Sequence, residues 1–94
     1  MVSFREIRGT FSKLKFRKKE KTDHEWYELR NRDGGFVLAT SLSRQAGGRD
    51  VSKKLLGKIA KDISLTSNQF RKAIGCPLDH EGYYEILRAK GFPI

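Results

Sequence analysis

Two short runs rich in strand-forming residues flank an Asp-Gly-Gly turn, and this arrangement restricts the fold more than any other stretch of the chain. His24-Glu25-Trp26-Tyr27-Glu28-Leu29-Arg30 is short and aromatic, a strand pattern. Phe36-Val37-Leu38-Ala39-Thr40-Ser41-Leu42 is the clearest strand, and its near-continuous apolar run suggests a central strand covered on at least one face. Between them Asp33-Gly34-Gly35 signals a hairpin, because glycine enters the left-handed backbone region that tight hairpin turns use.

Helical patterns lie on both sides of the hairpin. Ser3-Phe4-Arg5-Glu6 has the form of a capping box, and Phe4, Ile7, Phe11 and Leu14 follow at helical spacing. A first helix is expected over residues 4–14. Residues 15–21 hold one apolar side chain, Phe16, among cations, so the segment is either a basic edge strand or an exposed loop. Residues 43–49, with Gly47 and Gly48, read as a loop. Asp50 is the expected cap of a second helix over 51–63, with Val51, Leu55, Ile59 and Ile63 as its core stripe and Leu56 and Ala60 beside it. Thr66-Ser67-Asn68-Gln69 opens a short helix that stops at Gly75. Asp79 caps a last helix over residues 80–90, which Gly91 ends. The order predicts an α+β fold, an antiparallel sheet with helices on one face. The other face is then open to solvent or ligand.

With 94 residues there is room for one domain, and ten aromatic side chains supply core material that a disordered tail lacks. The net charge of +9 speaks about partners: nucleic acid, an anionic membrane surface or an acidic protein. No apolar run approaches the roughly 18 residues of a membrane span. Met1 to Glu6 show no signal-peptide pattern. Cys76 is the single cysteine, which fits a reducing, cytoplasmic setting and gives no zinc pattern. Neither metal nor cofactor is expected.

The charge is concentrated. Residues 1–22 carry Arg5, Arg8, Lys13, Lys15, Arg17, Lys18, Lys19 and Lys21 against Glu6 and Glu20. Arg44, Arg49, Lys53, Lys54, Lys58 and Lys61 form a second group. The bland reading is a solvated surface that keeps a small protein soluble. The functional reading is a phosphate-binding surface with steep salt dependence, and RNA is favoured because no helix-turn-helix or zinc-finger pattern is present. The residues expected to bind nucleic acid are Lys15, Arg17, Lys18, Lys19, Lys21, Arg44, Arg49, Lys54 and Lys58.

His24 is the candidate for chemistry. Strand alternation puts His24, Trp26, Glu28 and Arg30 on one face and Glu25, Tyr27 and Leu29 on the other. An imidazole beside an RNA phosphate can do acid–base work on a 2′-hydroxyl or a leaving 5′-oxygen, while cations stabilise the charge that develops on phosphorus. A lone strand histidine is more often structural or simply exposed. His80 reads as an exposed helix-start residue, and nothing near Cys76 except Lys72 would activate it as a nucleophile.

Thr22-Asp23-His24-Glu25-Trp26-Tyr27 has a histidine opening a strand and an aromatic three places on. It follows an amphipathic helix and a Lys/Arg-rich segment. Asp33-Gly34-Gly35-Phe36-Val37-Leu38, Leu56-Gly57-Lys58-Ile59 and Leu65-Thr66-Ser67-Asn68-Gln69-Phe70 come next. This order resembles the HicA-like toxins, small mRNA interferases with a double-stranded-RNA-binding-domain-like (dsRBD-like) fold. The resemblance covers about residues 3–70. It implies a dsRBD-like three-stranded antiparallel sheet with two helices on one face over 1–70, and short C-terminal helices over 71–94 within the same compact domain. It also implies a metal-independent ribonuclease acting on mRNA, with His24 as catalytic histidine, and a cognate antitoxin covering the active face. Where the family has a glycine before the histidine this chain has Thr22, and where it often has a second histidine this chain has Ser43-Arg44. Residues 71–94 are expected to cap the sheet, to make homodimer contacts or to bind a partner. The common expectation is that the cations converge around the imidazole at position 24 on an accessible sheet surface.

Overall fold

A computed structural model describes residues 2–20, 24–43, 50–75 and 77–94. Helix α1 spans Phe4–Lys13 and starts with the expected reciprocal cap. The Glu6 N–H donates to the Ser3 hydroxyl and the Ser3 N–H to the Glu6 carboxylate, each at 3.2 Å. The helix ends in a Schellman turn at Lys15, where φ is 69°. The Lys15 N–H donates to the Ser12 carbonyl, and the Phe16 N–H reaches back to Phe11. The Phe11 and Phe16 rings, 5.4 Å apart, make the apolar contact that accompanies this motif.

The chain then enters strand β1, Arg17–Glu20, which decides between the two readings of the basic segment in favour of an edge strand. Strands β2, His24–Arg30, and β3, Phe36–Ser43, complete an antiparallel sheet of order β1-β2-β3. Here the structure corrects one expectation: the central strand is β2, and β3 lies at an edge. The apolar run of β3 comes from covering on one face. Leu38 and Leu42 are buried, whereas Val37, Ala39 and Ser41 are half-buried and Phe36 is 53% exposed. The hairpin is built as predicted, with Gly34 at φ 83°. The Asn31 side-chain oxygen accepts from the Asp33 and Gly35 N–H groups, which locks the turn.

Helix α2 spans Lys53–Asp62 and is capped by Ser52, whose hydroxyl accepts from the Leu55 N–H, not by Asp50. Asp50 pairs with Ser3 in an isolated antiparallel bridge, so its backbone remains extended and the helix begins three residues later. Leu55 is correspondingly half-buried, while Leu56, Ile59 and Ala60 face the core. Helix α3, Ser67–Ile74, has the expected Thr66/Gln69 capping box. Asp79 caps α4, His80–Ala89, which finishes in a Schellman turn with Gly91 at φ 90°.

Named contacts put all four helices on the side of the sheet that bears Tyr27. Phe11 of α1 sits 4.7 Å from the Tyr27 ring and 6.3 Å from Phe70 of α3. Thr40 of β3 donates to Asp62 of α2 at 3.1 Å. Tyr83 of α4 stacks on Phe16 and donates its hydroxyl to the Ile63 carbonyl at 2.8 Å. Ala73, Tyr83 and Leu87 thus share one core with Ile7, Phe11 and Leu29. Among the described residues the protein is α+β, with a three-stranded antiparallel sheet and four helices.

Candidate nucleic-acid interface

Period-two alternation gives the sheet two chemically different faces. Glu25, Tyr27 and Leu29 turn toward the helices and are buried. His24, Trp26, Glu28 and Arg30 occupy the other face, as their spacing predicts, and His24 is exposed. Cross-strand register adds to that face. Arg17 lies opposite Glu28 and Lys19 opposite Trp26 on β1, with Ala39 opposite Glu28 and Ser41 opposite Trp26 on β3. The face therefore has a cationic side along β1, a low side of small residues along β3, and an indole between them.

Glu28 organises this surface. Its carboxylate accepts from Arg30 Nε at 2.9 Å, from Lys19 Nζ at 3.0 Å and from Trp26 Nε1 at 3.5 Å. The neighbours leave Glu28 only 4% exposed although it points away from the core. The hydrogen bonds from Arg30 and Lys19 outweigh this burial and, with Trp26, hold the carboxyl down to about 2. Arg30 also donates to the Gly34 carbonyl at 2.8 Å, so its guanidinium is fixed between the strand and the hairpin turn.

On the helix side Glu25 has a parallel arrangement. Arg8 Nε of α1 donates to it at 2.8 Å, the Tyr27 hydroxyl at 2.6 Å, and Lys18 stands 4.0 Å away. Burial alone would raise this carboxyl. The bonds from Arg8 and Tyr27, with the charges of Arg8 and Lys18, reverse the effect and hold it below the usual range. Tyr27 is pushed up, by burial and by its bond to the Glu25 carboxylate.

The sequence-predicted cations are distributed among several places. Arg17 and Lys19 share the face of His24. Lys18 points the opposite way, opposite Tyr27 and toward Glu25. Lys54 and Lys58 are exposed on α2, behind the sheet as seen from His24, and Lys58 pairs with Asp62 at 3.6 Å. Lys15 is exposed in the left-handed turn between α1 and β1. Lys21, Arg44 and Arg49 lie outside the described residues, as do Thr22, Asp23 and Cys76. Among the described residues, then, the cations near His24 form a stripe rather than a ring. Lys19 is its diagonal cross-strand neighbour, about 7–8 Å away in backbone terms. Arg17 is level with Glu28, about 13 Å along the strand, and Arg30 is about 20 Å along.

Arg30 was not among the residues singled out for nucleic-acid binding. Its alternation with His24 in one strand was the signal that could have included it. The clamp on Glu28 left no such signal, because Lys19 and Glu28 meet only through strand pairing. His80 is half-buried, with its ring edge-on to Tyr84 at 5.7 Å. Among the described residues no group of three or more His, Cys, Asp or Glu side chains is placed to hold a metal ion, and no helix is long and apolar enough to cross a membrane. Compared with protein-family models, with curated proteins and with solved structures, the chain matches none.

Proposed function

We propose that this chain is an RNA-binding protein of dsRBD-like fold and a metal-independent endoribonuclease of the HicA-like kind, the mRNA-cleaving toxin of a type II toxin–antitoxin pair. The observation that carries the reading is the exposed imidazole of His24 on the same sheet face as Arg17, Lys19, Trp26 and Arg30. The order helix, three antiparallel strands, helix supports the finer fold assignment. On this reading His24 takes the proton of a 2′-hydroxyl as that oxygen attacks the adjacent phosphorus. Lys19, the nearest described cation on the face, stabilises the negative charge on the phosphorane. The same proton is returned to the departing 5′-oxygen, leaving a 2′,3′-cyclic phosphate and a 5′-hydroxyl. Arg17 and Arg30 hold neighbouring phosphates, and Trp26 offers a surface for a base. An acidic antitoxin covering this face would silence it.

A second reading, RNA binding without cleavage, is favoured by one feature. The residue paired with His24 across β2 and β3 is Ser43 and not a second histidine, the residue type that titrates near neutrality. Incubation of the protein with total mRNA, beside His24→Ala, separates the two. Cleavage by the wild type, lost in His24→Ala with fold and RNA affinity retained, supports the ribonuclease. Salt-sensitive binding with RNA intact after long incubation supports the second reading. No RNA shift at low salt overturns both.

A further inference from the structure

The two edges of the sheet differ in a way that bears on self-association. β1 is four residues long and three of them are cations, Arg17, Lys18 and Lys19. Short, lysine-rich edges resist pairing with another strand. β3 is twice as long, Phe-Val-Leu-Ala-Thr-Ser-Leu-Ser, with no charge, no proline and no glycine. Among the described residues its backbone bonds run only to β2, so its outer row of N–H and C=O groups has no backbone partner. Phe36 at its start is the exposed large hydrophobic residue among those described. A strand of this kind is a template for strand addition.

We propose that the β3 edge pairs antiparallel with the β3 edge of a second copy of this chain, forming a continuous six-stranded sheet about a two-fold axis perpendicular to it. Charge placement selects this edge, and the register of β3 against its own copy suits a second chain as occupant. Two chains of +9 repel, yet β3 brings no charge of its own to the contact. Pairing through β3 sends the two cationic β1 strands to opposite ends of the sheet. Five strand spacings separate them, about 24 Å. That is about three Debye lengths at physiological salt, so their repulsion is screened. Pairing through β1 would instead press Arg17, Lys18 and Lys19 against their own copies.

The pleat restricts the register. A two-fold axis perpendicular to the sheet keeps core face beside core face only when the axis passes through a residue, not between two. An axis at Thr40 sets Leu38 of one protomer opposite Leu42 of the other on the helix side, both buried positions already. On the open side it sets Ala39 opposite Ser41. The two His24-bearing faces then lie on the same side of one sheet. An interface made chiefly of one strand pair is smaller than the roughly 1,200–2,000 Å² of stable complexes, so the association is reversible and concentration-dependent. This inference stands apart from the RNA reading, since it uses only the edge and the charge distribution.

Sedimentation of the full chain over a concentration series tests it. The wild type is expected to pass from a 10.8 kDa monomer to a species of twice that mass. Ala39→Lys with Ser41→Lys places like charges opposite one another twice and is expected to remain monomeric. Ala39→Glu with Ser41→Lys places opposite charges there and is expected to dimerise. Circular dichroism checks that each variant folds. Should the lysine pair unfold the chain, hydrogen exchange of the wild type decides, with β3 amides gaining protection as concentration rises. A wild type that stays monomeric throughout, β3 amides indifferent to concentration, or a dimer that survives the folded lysine pair would overturn the proposal.

Discussion

Glu25 and Glu28 stand three residues apart on the same strand, on opposite faces, and each is clamped by a cation and a hydrogen-bond donor. Glu25 is held by Arg8 from α1 and by Tyr27, so its clamp ties a helix to the sheet. The partners of Glu28 are Lys19, Trp26 and Arg30, all from the sheet itself, so its clamp fixes the side chains of the exposed face relative to one another. One residue type in one strand thus does two jobs. The helix side uses its carboxylate to hold the fold together. The open side uses its carboxylate to keep cations and an indole in place while neutralising one charge of the stripe. The difference teaches that net charge alone is a poor guide to a binding surface, because strand parity decides which cations a ligand can meet.

The largest effect that sharpens this contrast lies under the helix face. Phe11 is fully buried and its ring meets Phe16, Tyr27 and Phe70. Phe11→Ala is expected to cost about 3–5 kcal/mol, read by chemical denaturation. Trp26→Ala on the open face is expected to destabilise far less, while weakening RNA binding by about 1–3 kcal/mol through lost stacking. Equal losses of stability at the two positions would break the division between the faces.

Next come the two carboxylates. Glu25→Ala removes the carboxylate that accepts from the half-buried Arg8 and from the Tyr27 hydroxyl, and is expected to cost about 2 kcal/mol of stability with little change in RNA affinity. Glu28→Gln is expected to act on RNA affinity as well as on stability, since it also gives up the ionised carboxylate that Arg30 and Lys19 hold. It removes the carboxylate that competes with phosphate for Lys19 and Arg30, tightens RNA binding severalfold, and steepens the salt dependence by about 0.7 in log–log slope for each additional phosphate neutralised on a single strand. Acid should expose both clamps. Each carboxyl is held below its ordinary 4.5, so the stability it contributes is complete above that pH and is lost as pH falls through the folded value, about 2 for Glu28. Denaturation at a series of acid pH values should show this decline, and Glu25→Gln with Glu28→Gln should flatten it.

The smallest expected effects are gains. Lys15 and Ser64 hold left-handed backbone at φ 69° and 62° in Schellman turns that glycine would close without strain. Relief of a cost of about 1–2 kcal/mol, partly offset by the greater freedom of glycine in the unfolded chain, leaves each substitution stabilising by about 0.5–1 kcal/mol. Thermal melting of Lys15→Gly and Ser64→Gly checks this. Lys15→Gly also asks whether that cation meets RNA at all.

Much of this architecture was legible in the residues. The capping boxes at Ser3 and Thr66 and the hairpin at Asp33-Gly34-Gly35 are local chemistry, and local chemistry can be read from one chain. So can the alternation that sets His24 and Trp26 apart from Tyr27. What was not legible depends on partners distant in sequence. The extended bridge between Ser3 and Asp50 delays α2 to Ser52, and no pattern near Asp50 announces it. The apolar run of β3 looked central because a strand buried on one face by α2 and half-covered on the other mimics one buried on both. Parity within β1 could not be assigned while the segment remained either strand or loop, so Lys18 was grouped with Lys19. Only the pairing of Lys19 with Trp26 separates them.

The claim on which the rest depends is that RNA meets the sheet face rather than the helix side. The most direct measurement is RNA affinity across a salt series for two folded double variants, Arg17→Ala with Lys19→Ala and Lys54→Ala with Lys58→Ala. The first pair is expected to weaken binding and to lower the salt slope by about two phosphates, roughly 1.4 on a single strand, while the second leaves both close to wild type. Loss of binding in the α2 pair with the strand pair unaffected would contradict the claim.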